Sequence, residues 1–292
     1  MTFTEPAKKS LGQHFLHERG IVEKIVQAVD PRPGDRLVEI GPGQGAITFP
    51  LLDRHGELTA VEFDRDLIEP LALAARPHGR LRIIAGDVLA VDFTALAREL
   101  APPGDDAAAG LRLVGNLPYN LSSPILFHAL DHAATIVDMH FMLQKEVVDR
   151  MAADPGSKIY GRLSVMLQAY CAVTPLFTVP PGAFRPPPKV DSAVVRLVPR
   201  DPSSIGIRDP ARFAGIVRAA FGQRRKTLRN ALKGLCDESG MAAARVDPGT
   251  RAEQLSVADF VRLSNVVPDL PDPAAESPPP AAGASEPDQS PN

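Results

Sequence analysis

The chain has no tryptophan and only 2 cysteines among its 292 residues, and aromatic residues make up 5% of it. Cys171 and Cys236 stand alone, which excludes a disulfide scaffold and predicts two reduced, buried thiols. No run of 18 apolar residues occurs, so we expect no membrane span. The N-terminus lacks the apolar segment of a secretory signal, so export is not expected. The 7 histidines form no H-E-x-x-H motif, which argues against a metal enzyme.

Acidic residues slightly outnumber basic ones, giving a net charge of −3. Taken alone, this charge argues weakly against a nucleic-acid partner, because phosphate contacts need an excess of Lys and Arg. The imbalance comes from residues 266–292, which hold eight prolines, five acids and no basic or aromatic residue. That composition predicts a disordered acidic tail. Residues 1–265 therefore carry a net charge of +2.

Short apolar segments alternate with helix-like segments between about residues 20 and 200. The predicted strands are 36–40, 57–63, 81–87, 111–116, 140–144 and 192–198. Strands that alternate with helices predict an α/β fold, a doubly wound Rossmann-like sheet that is mainly parallel and covered by helices on both faces. We expect loops at 101–110 and at the proline-rich segment 180–192.

The strand pattern stops after about residue 207, which divides the chain into an N-terminal arm at 1–20, an α/β domain at 21–207 and a small helical domain at 208–265.

Residues 210–236 contain seven basic residues and no acid, with helical apolar spacing, and 258–267 predict a further helix. A basic helix of this kind is either a solvated face or a contact for RNA phosphates. The candidate RNA-binding residues are Arg218, Arg224, Arg225, Lys226, Arg229 and Lys233, with Lys8 and Lys9 of the arm as weaker candidates.

A glycine-rich turn, V-E-I-G-P-G-Q-G-A at 38–46, lies between a predicted strand and a helix. Glycines at such a turn let the backbone approach a ligand closely. Glu62 follows Gly41 by 21 residues, at the end of the next strand, where its carboxylate could accept both ribose hydroxyls of an adenosine group. Gly41, Gly43 and Ala46 also satisfy a looser dinucleotide fingerprint, so a nicotinamide cofactor and a purely structural turn stay open.

Polar residues end the next two predicted strands. Asp87 stands in the segment A-G-D-V, where a carboxylate either accepts from an adenine amino group or caps a helix. The motif V-G-N-L-P-Y-N occupies 114–120 after the fourth strand. Both positions fall at the carboxyl edge of the predicted sheet, where doubly wound folds bind ligands.

The motif at 114–120 suits methylation of an exocyclic adenine amine. The nitrogen lone pair is delocalised into the ring, so acceptors on the two N–H groups favour the geometry in which that lone pair faces an electrophile. The Asn116 side-chain oxygen and the Leu117 carbonyl could supply these acceptors, while Pro118 restricts the turn. Tyr119 offers a face on which an extracted base can stack. Transfer from a neighbouring sulfonium needs alignment more than a strong base, which fits the absence of His or Lys in this motif.

Several motifs together resemble the ribosomal RNA adenine dimethylase family, over residues 8 to about 265. They are KKSLGQHFL at 8–16, VEIGPGQGAIT at 38–48, VEFDRDL at 61–67, GD at 86–87, GNLPYNLSSPILF at 115–127, MLQKEV at 142–147, YGRLSV at 160–165 and FRPPPKVDSAVVRL at 184–197. The resemblance implies a Rossmann-like methyltransferase sheet with a small C-terminal helical domain.

The resemblance also implies S-adenosylmethionine as methyl donor, and two adjacent adenosines in the 3′-terminal hairpin loop of 16S rRNA as substrate, each methylated twice on N6. Such an enzyme acts on the assembling 30S subunit; we expect a cytoplasmic monomer with no membrane contact and no metal. The implied donor contacts are His14, Leu16, Gly41, Glu62, Asp87 and Asn116. Tyr119 and Phe184 would sandwich the target base, although Phe184 could equally anchor its loop in the core.

Three alternatives stay open at this point. The related large-subunit rRNA adenine methylases, which confer macrolide resistance, share the main motifs, although Q-K-E-V at 144–147 and P-P-P-K-V-D-S at 186–192 favour the small-subunit enzymes. A non-catalytic RNA-binding assembly factor would retain the fold without the reaction. A nicotinamide-dependent oxidoreductase would explain only the glycine-rich turn.

Overall fold

The computed structural model of the chain describes residues 5–8, 11–102, 110–223 and 225–267. The strands in these ranges are β1 (Phe15–Leu16), β2 (Arg36–Ile40), β3 (Glu57–Glu62), β4 (Arg80–Ala85), β5 (Leu111–Asn116), β6 (Ile136–Gln144), β7 (Cys171–Val179), β8 (Phe184–Arg185) and β9 (Ser192–Pro199). The helices of the α/β region are α1 (Arg19–Val29), α2 (Thr48–His55), α3 (Arg65–Ala75), α4 (Phe93–Glu99), α5 (Ser122–Asp131), α6 (Lys145–Met151), α7 (Arg162–Tyr170) and α8 (Pro202–Ile205). Those of the C-terminal region are α9 (Pro210–Gly222), α10 (Leu228–Ala231), α11 (Glu238–Ala243) and α12 (Val257–Val266). Short 3₁₀ turns occupy Val88–Ala90, Ala133–Thr135, Pro181–Ala183 and Ala252–Gln254.

Seven strands form one sheet in the order β4-β3-β2-β5-β6-β9-β7. Strands β2 to β6 pair in parallel, whereas β9 runs antiparallel to β6 and β7 antiparallel to β9. The chain leaves β2 toward β3 and β4 on one side and returns to β5 on the other. Ligands bind at such a reversal, beyond the carboxyl ends of the strands. The predicted doubly wound sheet is confirmed.

Both faces of the sheet are covered, and this explains why its central strands are mainly apolar. All five residues of β2 are buried. Val38 and Ile40 enter one hydrophobic core, whereas Leu37 enters another, because successive side chains of a strand point to opposite faces. Near-continuous apolar segments are therefore the expected signature of these strands.

Strand β7 was missed by the sequence analysis. Only its end residues Cys171 and Val179 are buried, so it lacks a continuous buried apolar run, and it contains Pro175, where its register with β9 is irregular. A proline lacks the N–H that a central ladder needs, but β7 lies at the edge of the sheet, where this loss is tolerated. Strand β6 is also longer than predicted, because it begins at Ile136 rather than at residue 140.

The proline-rich segment 180–192 is not wholly a loop, so that prediction was wrong in part. Phe184–Arg185 forms β8, which pairs antiparallel with β1 of the N-terminal arm. Residues between the prolines keep their backbone N–H and C=O groups, and the arm provides the partners for them. This two-stranded sheet attaches the arm to the body of the protein.

The basic segment 210–236 is not one helix, which corrects the predicted basic helix. Helix α9 ends at Gly222, and α10 begins only at Leu228. Between them, Thr227 forms an isolated β-bridge with Arg251, which takes the backbone out of the helical conformation. Helix α12 corresponds to the helix predicted at 258–267.

The C-terminal helices share a hydrophobic core with residues of the α/β region. Phe213, Leu228 and Phe260 from the helices cluster with Tyr160 and Met166. The core around these helices therefore extends beyond residues 208–265, and the division into domains at 207 stays a prediction.

Some of the features predicted from the sequence lie outside the described ranges. These are the tail from residue 268 onward, most of the loop predicted at 101–110, Lys9 and Arg224. Within the described ranges, no helix has both the length and the apolar composition needed to cross a bilayer.

Candidate active site

A cavity of about 330 Å³ opens at the carboxyl edge of the sheet, where the strand order reverses. This volume is typical of a pocket for a small organic ligand. The predicted site residues that line it are His14, Gly41, Glu62, Asp87, Asn116, Leu117, Pro118 and Tyr119. Residues from widely separated parts of the sequence therefore meet in one site, as the parallel sheet predicts.

The glycine-rich turn after β2 forms one wall of this cavity. Gly41 and Gly43 have φ angles of 67° and 55°, in the left-handed region that side chains with a Cβ rarely adopt. A Cβ at Gly43 would also lie 3.1 Å from the ring of Phe15, so a larger residue would push the arm away. The turn therefore requires glycine both for its backbone and for the close approach of the arm.

Glu62 ends β3 and is only 5% exposed. Its Oε2 accepts from the Gly43 N–H at 3.2 Å, and its Oε1 accepts from the Asp64 N–H at 2.7 Å. Burial raises the pKa of this carboxyl, against the backbone donors, which lower it. Each oxygen keeps a further acceptor position, so the side chain is oriented by the backbone and can still bind a pair of hydroxyl groups in the cavity.

Phe63 also lines the cavity, and the sequence analysis missed it. Its side chain is 61% exposed, which is unusual for a large aromatic residue. It follows Glu62 directly, so an aromatic face lies beside the oriented carboxylate. The sequence signal was the aromatic residue between Glu62 and Asp64, in the VEFD segment.

Asp87 caps a turn, which was one of the two alternatives from the sequence, and its contact with an adenine amino group stays a prediction. Its Oδ1 accepts from the Leu89 N–H at 2.9 Å and caps the 3₁₀ turn Val88–Ala90. The side chain is exposed and lines the cavity. A cap uses one carboxylate oxygen, so the other oxygen is available to a ligand.

Asn116 lies at the end of β5, opposite the glycine-rich turn. Its side-chain Nδ2 donates to the backbone carbonyl of His14 at 2.9 Å, which leaves Oδ1 as a free acceptor. Among the described residues, none donates to Oδ1 or to the carbonyl of Leu117. The preceding Gly115 allows this strand end to approach β2, because a Cβ there would lie 2.5 Å from the Ile40 carbonyl oxygen.

Tyr119 is held from two sides. Its hydroxyl shares a hydrogen bond of 2.7 Å with the hydroxyl of Ser192, and its ring stacks on the His14 ring at a centroid distance of 5.6 Å. The Nδ1 of His14 in turn donates to the Pro186 carbonyl at 2.7 Å. Burial raises the pKa of the Tyr119 phenol, so the group stays neutral. The aromatic ring is therefore fixed at the cavity wall.

Phe184 does not line this cavity. Its side chain is 2% exposed and packs in the core with Ile21 and Val179, while its backbone pairs with Leu16. The structure therefore corresponds to the core-anchor alternative rather than to the predicted sandwich with Tyr119. Leu16 is also buried and lines only a small recess of about 30 Å³ behind the glycine-rich turn.

The predicted RNA-binding residues fall into two groups. Arg229 pairs with Glu238, which lies just outside the acid-free segment, through an Nε–Oε1 contact of 2.8 Å. Of the basic segment's predicted RNA-binding residues that the structure describes, Arg218, Arg225, Lys226 and Lys233 are exposed and have no ion pair with another described residue. A cation that lacks an intramolecular partner is the better candidate for a phosphate contact.

The described residues contain no group of three His, Cys, Asp or Glu side chains arranged to hold a metal ion. Cys171 and Cys236 are both buried free thiols, as predicted, and burial raises the pKa of Cys171 to about 12. Thiols of this kind are inert as nucleophiles.

The sheet and the cavity at its reversal define a Rossmann-like methyltransferase, and two solved structures share the fold over nearly their whole length. A dimethyladenosine transferase from Plasmodium falciparum has a TM-score of 0.69 and 26% identity, covering 86% of this chain and 96% of that one. The 23S rRNA methyltransferase ErmE has a TM-score of 0.65 and 25% identity, covering 87% of this chain and 99% of that one.

The sequence comparisons identify the family. The profile of ribosomal RNA adenine dimethylases matches residues 4–269. A relative named Ribosomal RNA small subunit methyltransferase A, from Xanthomonas axonopodis pv. citri, is 71% identical over 265 residues, which are 91% of this chain and 98% of the relative. A relative of the same name from Xanthomonas oryzae pv. oryzae is 71% identical over 267 residues. The chain belongs to the ribosomal RNA adenine dimethylase family and is an rRNA adenine dimethyltransferase. The resemblance is thereby confirmed, and the oxidoreductase and non-catalytic alternatives are set aside.

Proposed function

We propose that this enzyme transfers methyl groups from S-adenosylmethionine to N6 of two adjacent adenosines in the 3′-terminal hairpin loop of 16S rRNA, late in the assembly of the 30S subunit. Each adenosine is methylated twice. The observation that carries this proposal is the oriented amide of Asn116, whose free Oδ1 lies in the same cavity as the Glu62 carboxylate. That both residues line one cavity supports a site in which Asn116 accepts from an adenine amine and Glu62 binds an adenosine ribose.

The residues at and just beyond the carboxyl ends of β3 and β4 suit the adenosine part of the methyl donor. The Glu62 carboxylate would accept from both ribose hydroxyls, since the backbone N–H groups of Gly43 and Asp64 already hold it in place. Phe63 would stack on the adenine ring, and the free oxygen of Asp87 would accept from its amino group. When bound, S-adenosylmethionine supplies an electrophilic methyl group on a sulfonium.

The residues of the motif after β5 suit the target base. The Asn116 Oδ1 and the Leu117 carbonyl would accept from the two N6–H groups and turn the nitrogen lone pair toward the methyl donor. Tyr119 would stack on the base, because Ser192 and His14 hold its ring in place. The N6 proton is lost to solvent after transfer, so no strong general base is required. Catalysis then depends on alignment.

The small-subunit substrate is supported over the large-subunit substrate by the degree of similarity. Relatives named for the small subunit are 71% identical to this chain, whereas the 23S rRNA methyltransferase ErmE is 25% identical. Both substrates present an adenine amine, so the reacting groups of the site do not distinguish them. The exposed cations Arg218, Arg225, Lys226 and Lys233 would contact the RNA outside the reacting base.

The test is methyl transfer to small ribosomal subunits from a strain that lacks this methylation. We expect the full-length enzyme to add four methyl groups per subunit, two on each adenosine, and to act poorly on naked large-subunit RNA. Mass spectrometry of the 16S rRNA 3′ fragment locates the products. Activity on large-subunit RNA alone would refute the proposed substrate.

A further inference from the structure

The N-terminal arm crosses the cavity and is attached to the α/β region by side-chain contacts. The Nζ of Lys8 lies 2.5 Å from Asp64 Oδ1 and 2.6 Å from Asp66 Oδ2. The Nε2 of Gln13 donates to Asp64 Oδ2 at 2.9 Å. Both oxygens of one carboxylate thus accept from the arm. We call the three residues Lys8, Gln13 and Asp64 the arm latch.

Asp64 connects the arm to the cofactor end of the site. It is 5% exposed, and its Oδ1 accepts from the Asp66 N–H at 3.2 Å, which caps α3. Its own backbone N–H donates to Glu62 at 2.7 Å. Burial tends to raise the pKa of Asp64, but hydrogen bonds from Lys8 and Gln13 outweigh this effect and hold the pKa below its usual value. The latch therefore contains the ionised carboxylate of Asp64, which lies two residues after Glu62, the residue proposed to bind the ribose.

The other end of the arm determines which way the Asn116 amide faces. The residue after Gln13 is His14, whose backbone carbonyl accepts from Asn116 Nδ2 at 2.9 Å. A reversed amide would place Oδ1 against this carbonyl oxygen, and two acceptors repel each other. The position of the His14 carbonyl thus selects the orientation in which Oδ1 is free to accept. No side-chain substitution of His14 removes this contact, because it belongs to the backbone.

We propose that the arm latch positions Asn116 for methyl transfer, so that Lys8, Gln13 and Asp64 are positioning residues of this enzyme. The inference rests on the proposed role of Asn116 in the target site. The latch fixes the path of the arm immediately before His14, and the His14 carbonyl then orients the amide. Displacement of a reacting group by about 1 Å can cost a rate factor on the order of 100. The side chain of Lys8 is 40% exposed, so water can take its place beside the buried Asp64 carboxylate, which keeps its hydrogen bonds from Gln13 and from the Asp66 N–H. Loss of the latch should therefore affect the reaction more than the fold.

The test replaces Lys8, because this side chain does not line the cavity. Lys8→Met removes the charge and keeps the apolar stem, and Lys8→Arg restores a cation. Arg19→Met is the matched control, since Arg19 is a 91% exposed cation of the same N-terminal arm, at the start of α1, and among the described residues its ion pair is with Glu23 rather than with Asp64. Single-turnover methyl transfer is measured with saturating S-adenosylmethionine and small subunits. For Lys8→Met we expect a rate about 10- to 100-fold lower, with nearly unchanged donor affinity and melting temperature, and recovery in Lys8→Arg.

A second measurement does not depend on activity. The side-chain amide signals of Asn116 in a ¹H–¹⁵N spectrum, identified by their loss in Asn116→Ala, report its hydrogen bond to His14. We expect these signals to shift in Lys8→Met and to stay in place in Arg19→Met. Unchanged amide signals in Lys8→Met would overturn the latch. If the signals shift while wild type methylates no small subunit, the proposed substrate fails and the positioning of Asn116 by the arm is upheld.

Discussion

The side-chain amide of Asn116 donates to the backbone carbonyl of His14 at 2.9 Å, although 102 positions separate the two residues in the sequence. This contact joins the end of β5 to the N-terminal arm across the cavity. It also fixes the orientation of the amide: Nδ2 is used by the arm, and Oδ1 is left to accept from a substrate. The proposed chemistry of the site depends on this assignment, and the first prediction follows from it.

Replacing Asn116 should impair transfer without removing the donor site. For Asn116→Ala we expect a fall of about 100-fold or more in the single-turnover rate, because one oriented hydrogen-bonding group contributes on the order of that factor. Asn116→Asp should be similarly slow, since it places a carboxylate oxygen against the His14 carbonyl. Calorimetry should show S-adenosylmethionine affinity close to that of wild type. Turnover at the wild-type rate would exclude the proposed role.

Glu62 should control donor affinity rather than the maximal rate. Hydrogen bonds to a charged group contribute roughly 1.5–3 kcal/mol, so Glu62→Gln should weaken S-adenosylmethionine binding about 10- to 100-fold. Glu57→Gln, at the opposite end of the same strand and on the surface, is the control and should bind normally. Calorimetric titration distinguishes the two variants. Equal affinities would show that Glu62 does not bind the ribose.

Phe63 should contribute to donor binding through its exposed ring. Stacking on an adenine ring contributes about 1–3 kcal/mol, so Phe63→Ala should weaken donor binding by about 5- to 150-fold. Leu73→Ala is a matched control, because Leu73 is 60% exposed and does not line the cavity. The same titration measures both. If both variants bind like wild type, the ring does not stack on the donor.

Glu39 should make stability dependent on pH. Burial raises its pKa to about 8, from an ordinary value of 4.5, although Thr48 donates to it and lowers the pKa. Between these values the unfolded carboxyl is ionised and the folded one is protonated, so unfolding releases a proton and stability falls as pH rises. Relative to Glu39→Gln, wild type should lose up to about 1.4 kcal/mol per pH unit from pH 5 to 8.

Urea unfolding at several pH values checks this prediction. Glu57→Gln serves as the control, because it makes the same substitution at a glutamate whose side chain is 60% exposed rather than buried. Parallel pH profiles for wild type and Glu39→Gln would contradict the prediction.

The unpaired cations of the C-terminal region should determine the salt dependence of RNA binding. Arg225 and Lys226 are exposed and carry no intramolecular partner among the described residues. The double variant Arg225→Ala/Lys226→Ala should lower the slope of log affinity against log salt by about one for each lost phosphate contact. Arg80→Ala removes a cation paired with Glu57 and should leave the slope unchanged. Filter binding across a salt series measures this slope. A slope in the double variant identical to that of wild type would show that Arg225 and Lys226 are solvated and do not contact RNA phosphates.

Sequence patterns were most informative where structure is local or repeats along the chain. The mainly apolar segments at 36–40 and 111–116 correspond to β2 and β5, because strands covered on both faces need a high proportion of apolar residues. The glycines of the turn and Glu62 also followed from sequence, since a parallel sheet places successive strand ends at one edge.

Other features depended on partners that are distant in sequence. Phe184 became a core residue because β8 pairs with the arm, and no pattern near residue 184 encodes that pairing. The acid-free segment at 210–236 suggested a row of free cations, but Glu238 pairs with Arg229 in three dimensions. The basic helix was divided because Thr227 bridges to Arg251.

The sequence by itself determined the class of fold, the family and the residues at the edge of the sheet, because these follow from local periodicity and from motifs with fixed spacing. Only the tertiary structure decided which atoms of the site side chains are left free to bind a ligand. The Asn116 amide is oriented by a carbonyl from the arm, and the arm is held by the Asp64 carboxylate. Hydrogen bonds are directional and short-ranged, so their partners emerge only when the folded chain brings distant segments within 3 Å of each other.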